Sequence, residues 1–528
     1  MSAGAITADG FDRSQSAAGT HNPWLIAVVV SIATFMEVLD TTIANVALRY
    51  ISGSLAINTD EASWVVTTYL VANAIVLTVS SFIAKRYGRK RFYLGCLGLF
   101  TVSSVLCGFA WNLESLLVFR ILQGFAGGGM VPISQSILAD SFPPAKRGQA
   151  FAIFGVAVVV APVVGPTLGG WLSDNYSWHW CFLINGPVGL LACTLVTLFV
   201  QEPKSAIEER EKLKRQGIRL DVVGFLLVAG FLGSLEMVLD RGQTEDWFGS
   251  TFIIVFTIIC VACFCLMIPW ELTRKNPVMD LRMIATRQFG SCFLVMMATG
   301  AILIATTQFL PELLQQYYGY TATWAGLALS PGGLVTMTMM FVVGRLTGVV
   351  QPKYLIAAGG AVAALAMWDL TNLYADATFW FFAWSRIFIG FGLPLIFIPI
   401  TTVSYDGIPP DKTDQASAMI NVARNVGGSI GVSIAANVLA YRAQFHQSRL
   451  VEHVVPSNPN YQTTLQSVAD YFGAAGSGAA APGQAIAYIG QQIQMQAGLW
   501  AYIDVFFALM VISAAIVPLA LALRNVRR

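Results

Sequence analysis

Residues 34–46 read TFMEVLDTTIANV and put two carboxylates, Glu37 and Asp40, inside a run that is otherwise apolar from Trp24 to Leu48. Burying an ionised carboxylate in hydrocarbon is costly, so acids persist there where something uses them. At about 100° per residue, Glu37, Asp40, Thr41 and Ala44 fall within about 100° of arc, with Asn45 beside them. A polar face this narrow is predicted to point into a water-accessible cavity. Counting inward from Arg49, Asp40 lies about 13 Å deep, and Arg120 lies about 9 Å deep in another apolar run. The two can thus share a depth, and a charged pair is cheaper in a membrane than either charge alone. The chemistry open to such an acid is reversible protonation, with desolvation and Arg120 pulling its proton affinity in opposite directions. A permanent ion pair, or separate charges facing water, are the alternatives that these residues leave open. Gln123, one turn beyond Arg120, joins Glu37, Thr41 and Asn45 as candidate lining of a substrate cavity.

Positioning those groups takes membrane spans. The chain has 528 residues, 56% of them hydrophobic and 11% charged, and uncharged apolar runs recur from end to end. That is an all-α polytopic membrane protein. A span needs about 20 apolar residues. Fourteen runs qualify, from 24–47 to 501–523, and they include 92–112 and 414–440. Of the 31 Lys and Arg, 24 fall on one side of this arrangement, four on the other and three inside spans. Both termini are therefore predicted to be cytoplasmic. The first twenty residues lack a basic start and a short apolar core, so a cleaved signal is not predicted. All eight cysteines lie in or beside apolar runs and the four histidines lie outside them, which argues against a disulfide framework, a metal site and a histidine relay.

An internal repeat sets the domain plan. Span four carries RILQGFAGGGMVP from Arg120, and span twelve carries RIFIGFGLPLIFIP from Arg386. Removing an inserted pair between two halves makes their offset six, the plan of a six-plus-six transporter with its site between the halves. The predicted units are a disordered cytoplasmic tail at 1–23, a six-helix bundle at 24–200, and a cytoplasmic linker at 201–221. An inserted pair at 222–270 and five helices of a second bundle at 271–440 follow. An outer loop at 441–499 and the last helix with its tail at 500–528 complete the chain. Within the loop, AIAYIGQQIQMQAG is predicted to form an amphipathic helix and GAAGSGAAAPG a flexible linker. The loop reads either as solvated chain or as a docking surface.

Two further stretches carry meaning. VVVAPVVGPTLGGWL in span five combines Pro162, Gly165, Pro166, Gly169 and Gly170. Small residues four apart allow close helix approach, and the prolines kink the helix, so it is predicted to be a deformable gating helix. AKRYGRKRF (84–92) is a basic turn with Gly88 at its bend and Arg86 and Arg89 on either side. Together with LDTTIANVAL, RILQGFAGG, GPTLGG, WHWCFLINGPVG, LDRGQTEDWF and YGYTATWAGL, these stretches resemble the fourteen-span drug:proton antiporters of the major facilitator superfamily, the EmrB type.

The resemblance implies two six-helix bundles plus a central helix pair, and export of amphipathic compounds driven by inward proton flow. It carries proton coupling onto Asp40 with Arg120 as its basic partner, and gate control onto Arg86, Gly88 and Arg89. It carries antiporter character onto Pro162, Gly165, Pro166, Gly169 and Gly170. It also implies the bacterial inner membrane and, where the host has two membranes, a periplasmic membrane-fusion adaptor and an outer-membrane channel. The chain departs from the family pattern at Ser81 and Lys85, where a glycine and an acid are usual, and at His179, where an arginine is common. Glu37 and Glu236 stand where uncharged polar residues are expected, so they bias the cavity toward cationic compounds or add a protonation site. Glu236 alternatively pairs within spans seven and eight. Export of one metabolite or siderophore-like molecule is the second reading. No HExxH or nucleotide-binding loop is present, and the one GxSxG match, GGSIG at 427–431, falls inside a predicted span instead of at a strand-to-helix turn, so neither an enzyme nor an ATP-driven pump is predicted, and no cofactor, metal or nucleic-acid partner.

Overall fold

The computed structural model describes residues 22–202, 207, 210–211, 221–274, 277–409, 412–474 and 480–525. The N-terminal tail, most of the 201–221 linker and the centre of GAAGSGAAAPG lie outside the described residues. Among the described residues the chain is helical, with no strand. In a bilayer every backbone polar group must be satisfied within its own segment, which apolar runs achieve as helices.

The first half runs α1 Pro23–Leu55, α2 Thr59–Tyr87, α3 Arg89–Cys107, α4 Leu113–Ser141, α5 Pro144–Asn175 and α6 Asn185–Phe199, the last preceded by a one-turn helix at Trp180–Leu183. Local chemistry sets the boundaries. Asn22 caps α1 with Pro23 at its first position, and Asn58 with Glu61 forms a capping box for α2. The turn from α2 to α3 is a single residue, Gly88, at φ +100°. The second half runs α7 Val222–Arg241, α8 Thr251–Thr273, α9 Arg287–Tyr317, α10 Ala322–Leu346, α11 Pro352–Leu370, α12 Phe379–Val403, α13 Thr413–Val451, α14 Pro459–Phe472 and α15 Ala481–Leu521.

Twelve of the described helices are long and apolar enough to cross a membrane. The other two expected spans, 92–112 and 414–440, are helical here as α3 and α13, but neither reaches that apolarity. Arg89, Lys90 and Arg91 open α3, and α13 carries Asp414, Asn421, Arg424 and Asn425. The expected loop at 441–499 is largely helical. α13 continues to Val451, and AIAYIGQQIQMQAG lies in the first part of α15, continuous with the last span. At about 1.5 Å per residue, α13 and α15 each extend to roughly 60 Å, about twice the hydrocarbon thickness. α14 follows α13 in the chain and packs on α15, with Phe472 6.1 Å from Tyr488, ring to ring.

Three packings place the site. α1 lies on α5, where a Cβ at Gly165 would collide with Thr42 Oγ1, so only glycine admits the approach. On its other side α5 lies along α10, with Thr167 beside Gly326 and Val163 beside Gly333. α13 packs on α9 and also meets α2 and α4. α7 rests on α2 and α13, and α8 covers α7 with few buried residues of its own. The pairing of α4 with α1 through Arg120 has a counterpart in α12 and α9. Buried Arg386 donates there to Thr306 Oγ1 at 3.1 Å and Thr307 Oγ1 at 3.4 Å, hydroxyls in place of a carboxylate.

Candidate functional site

Asp40 and Arg120 meet with both side chains fully buried. Arg120 Nη1 donates to Asp40 Oδ2 at 2.7 Å. Gln123 Nε2 donates to Asp40 Oδ1 at 2.9 Å, and Asn185 Nδ2 donates to the same oxygen at 2.7 Å. The carboxylate thus accepts from one cation and two amides, from α4 and α6. Arg120 is held in turn by the Val65 carbonyl at 3.0 Å and by Gln123 Oε1 at 2.9 Å. Its Nη2 is buried without a hydrogen-bond partner among the described residues. The ring faces of Tyr69 and Phe182, 4.5 and 5.4 Å from the guanidinium carbon, take up that part of its charge. Every partner of the Asp40 carboxylate is a donor, so each of its bonds is made to an acceptor oxygen.

The polar face of α1 does not point one way. Glu37 and Asp40 turn into the protein, at 6% and 1% exposure. Thr41 is half-buried and donates to the Val38 carbonyl of its own helix at 2.8 Å, while Asn45 is exposed. A helix rotates about 100° per residue, so a polar arc wide enough for five residues spans both an interior wall and an open one. Gln123 likewise belongs with Asp40 rather than with an open cavity wall. Glu37 accepts from Tyr69 Oη at 3.1 Å and Asn73 Nδ2 at 3.2 Å, both on α2. Glu236 is buried and accepts from Ser429 of α13 at 2.7 Å, a partner outside α7 and α8.

The basic turn lies at a charged cluster where the two halves of the chain meet. Arg89 is buried and ion-pairs with Asp140 at the end of α4, and its Nε donates to Asp414, at the start of α13, at 3.1 Å. Its backbone N–H donates to Glu202 at 2.9 Å, and Arg210 holds the other oxygen of Glu202 at 2.9 Å. A Cβ on Gly88 would lie 2.6 Å from Glu202, on top of its positive φ. Arg86 is half-buried on the last turn of α2. Asp414 thus joins this cluster from the second half of the chain. One turn deeper, Gln135 of α4 accepts from Ser417 at 3.0 Å and Asn421 at 2.7 Å. Pro162 and Pro166 lie inside α5, Gly165 and Gly169 face α1, and Gly170 is buried.

Sequence reasoning misses Asn185, Asp140, Asp414, Tyr69, Asn73 and Ser429. Asn185 lies in view within WHWCFLINGPVG, and Arg424 is one of three intramembrane arginines. The rest are ordinary polar residues whose partners are remote in sequence.

The profile of the Major Facilitator Superfamily matches residues 30–432. Multidrug export protein EmrB of Escherichia coli K12 is 38% identical over 444 residues, 83% of this chain and 84% of that protein. Fatty acid resistance protein FarB of Neisseria gonorrhoeae is 34% identical over 494 residues, 94% of each chain. Among solved structures, the proton:xylose symporter XylE superposes with a TM-score of 0.58 at 15% identity, over 94% of this chain and 96% of that one, a likeness of fold alone. A profile match over most of the length, relatives above one-third identity across four-fifths of it, and the shared helical architecture lead to one assignment: the chain belongs to the major facilitator superfamily of membrane transporters, in its EmrB-type branch, and is not an enzyme.

Proposed function

We propose that this protein exports amphipathic toxic compounds across the bacterial inner membrane in exchange for protons, by alternating access of two six-helix bundles around a central pair, α7 and α8. In this reading there are fourteen spans, with α3 and α13 among them, and both termini are cytoplasmic. The observation that carries it is the sealed Asp40–Arg120–Gln123–Asn185 cluster. An acid held at membrane depth by donors alone is a proton site that opens only when helices move, which is what coupling requires. Arg120 sets the proton affinity of Asp40. α5, which touches α1 on one face and α10 on the other, transmits the change between the halves. Arg89 with Asp414 latches the cytoplasmic side, and Gly88 and Arg86 shape that latch. Thr41 and Asn45 line the substrate path.

Substrates are drawn from the chemistry named for its relatives, drugs and fatty acids, which share an amphipathic character. No cofactor is needed, because the proton gradient supplies the free energy. The protruding ends of α13 and α15 with α14 form the surface for a periplasmic membrane-fusion adaptor, which in turn reaches an outer-membrane channel. Purified protein in vesicles tests the transport reading. An imposed pH gradient, acid on the periplasmic face, drives a lipophilic cation or a weak acid across the membrane, and Asp40→Asn abolishes that drive. Equal transport without a gradient, or with Asp40→Asn, refutes it.

A further inference from the structure

Glu37 has a second charge near it that the site above does not use. Arg424 of α13 approaches it without ion-pair contact: Asn73, which donates to Glu37 at 3.2 Å, accepts from Asn425, the residue after Arg424, at 3.5 Å. Arg424 is poorly served by its own surroundings. Its Nε and Nη2 reach Asn425 Oδ1, both at 3.4 Å, and its Nη1 is buried with no hydrogen-bond partner among the described residues. A guanidinium left short of partners inside a membrane is drawn to the nearest carboxylate.

The two groups ride on different bodies. Glu37 is tied to α2 through Tyr69 and Asn73. Arg424 is tied to α9, because a Cβ at Gly300 would collide with the Arg424 carbonyl and one at Gly427 would collide with the Met297 carbonyl. Such close approach makes α9 and α13 move together. A long bond, Asn425 Nδ2 to Asn73 Oδ1 at 3.5 Å, links the two bodies beside the charges. Sliding one body past the other changes the Glu37–Arg424 separation directly.

We propose that Glu37 is a second proton-binding site of the transport cycle, gated by Arg424 across the two halves. As the guanidinium withdraws, the carboxylate takes a proton from water. As it returns, the proton leaves and the ion pair forms. The other titratable and charged groups around Glu37 are Asp40 on its own helix, Tyr69 from α2, Tyr93 from α3 and Arg120 from α4. Arg120 is engaged by Asp40, and the tyrosines are neutral donors, so Arg424 is the cation among the described residues left to respond. This rests on the proton-coupled reading above, and its test needs no transport.

The full-length protein in lipid nanodiscs is titrated while the protonated-carboxyl stretch is followed by infrared difference spectroscopy. A band lost in Glu37→Gln and shifted in frequency but retained in Glu37→Asp identifies the site. Arg424→Gln removes the cation that favours the carboxylate, so the midpoint of that band moves up by about one to three pH units. Arg424→Lys keeps the charge and returns it toward the native value. If no titrating band disappears in Glu37→Gln, or if Arg424→Gln leaves its midpoint in place, the proposal is overturned. Those outcomes leave Asp40 untouched, since Asp40→Asn and gradient-driven efflux judge it separately.

Discussion

Neutralising one member of the Asp40–Arg120 pair should cost at least as much as neutralising both. In Asp40→Asn the new amide turns its N–H toward the guanidinium or toward Gln123 and Asn185, and all of those are donors. The fully buried Arg120 keeps the Val65 carbonyl and Gln123 but no anion. In Arg120→Gln the carboxylate keeps two amide donors and no cation. Stripping one partner from a buried pair costs about 3–5 kcal/mol. The double variant leaves no buried charge in the cluster and should lose no more than about what either single loses. The coupling between the two sites is then about 3 kcal/mol or more, at the top of what contacting residues show. Unfolding titrations in mixed micelles, followed by tryptophan fluorescence, measure the cycle. Singles that cost under about 1 kcal/mol each and add simply in the double would refute the reasoning, since that is how water-exposed pairs behave. In vesicles, all three variants should lose gradient-driven export, and substrate exchange should survive in Asp40→Asn.

Asp414→Asn removes one of the two carboxylates that hold the Arg89 guanidinium and should open the face bearing the α2–α3 turn. A thiol introduced by Ser417→Cys, buried against Gln135 in the parent, should then react several-fold faster with a water-soluble maleimide, and an unchanged rate would count against the latch. Gly88→Ala combines a positive φ with a collision at Glu202 and should destabilise by about 1–3 kcal/mol. Adding Glu202→Ala should recover part of that, which thermal unfolding would read. Gly165→Val forces α1 from α5 at Thr42 and should cost about 1–3 kcal/mol of stability while slowing transport more than substrate binding. Ser429→Ala strips Glu236 of its hydroxyl donor and should destabilise by about 1–3 kcal/mol. The exposed Ser448→Ala is its control in the same unfolding assay and should stay within about 0.5 kcal/mol of the parent.

Much of the architecture is legible in the chain alone. Apolar run length forces helices in a bilayer, and the Arg120 and Arg386 stretches announce a repeat. Asp40 with Arg120 is legible too, because helical rise converts sequence distance into depth and puts the two within about one turn of each other. α3 and α13 read as apolar spans in the chain, but the full helices fall short of that because their polar residues are spent on contacts inside the protein, Arg89 with Asp414 and Asn421 with Gln135.

Depth is one-dimensional, and rotation about the helix axis is not fixed by it. That is why α1 reads as a single polar face in the sequence, whereas packing on α2, α4 and α6 turns Glu37 and Asp40 inward and leaves Asn45 exposed. It is also why the sequence leaves Glu236 open between a cavity role and a partner within its own helix pair, while the structure places it against Ser429 on α13, 193 residues away. Sequence by itself determined which residues are costly to bury and how deep they lie. Only the tertiary structure decided which of them compensate one another, because that depends on helices brought together across hundreds of residues by small side chains at their contacts.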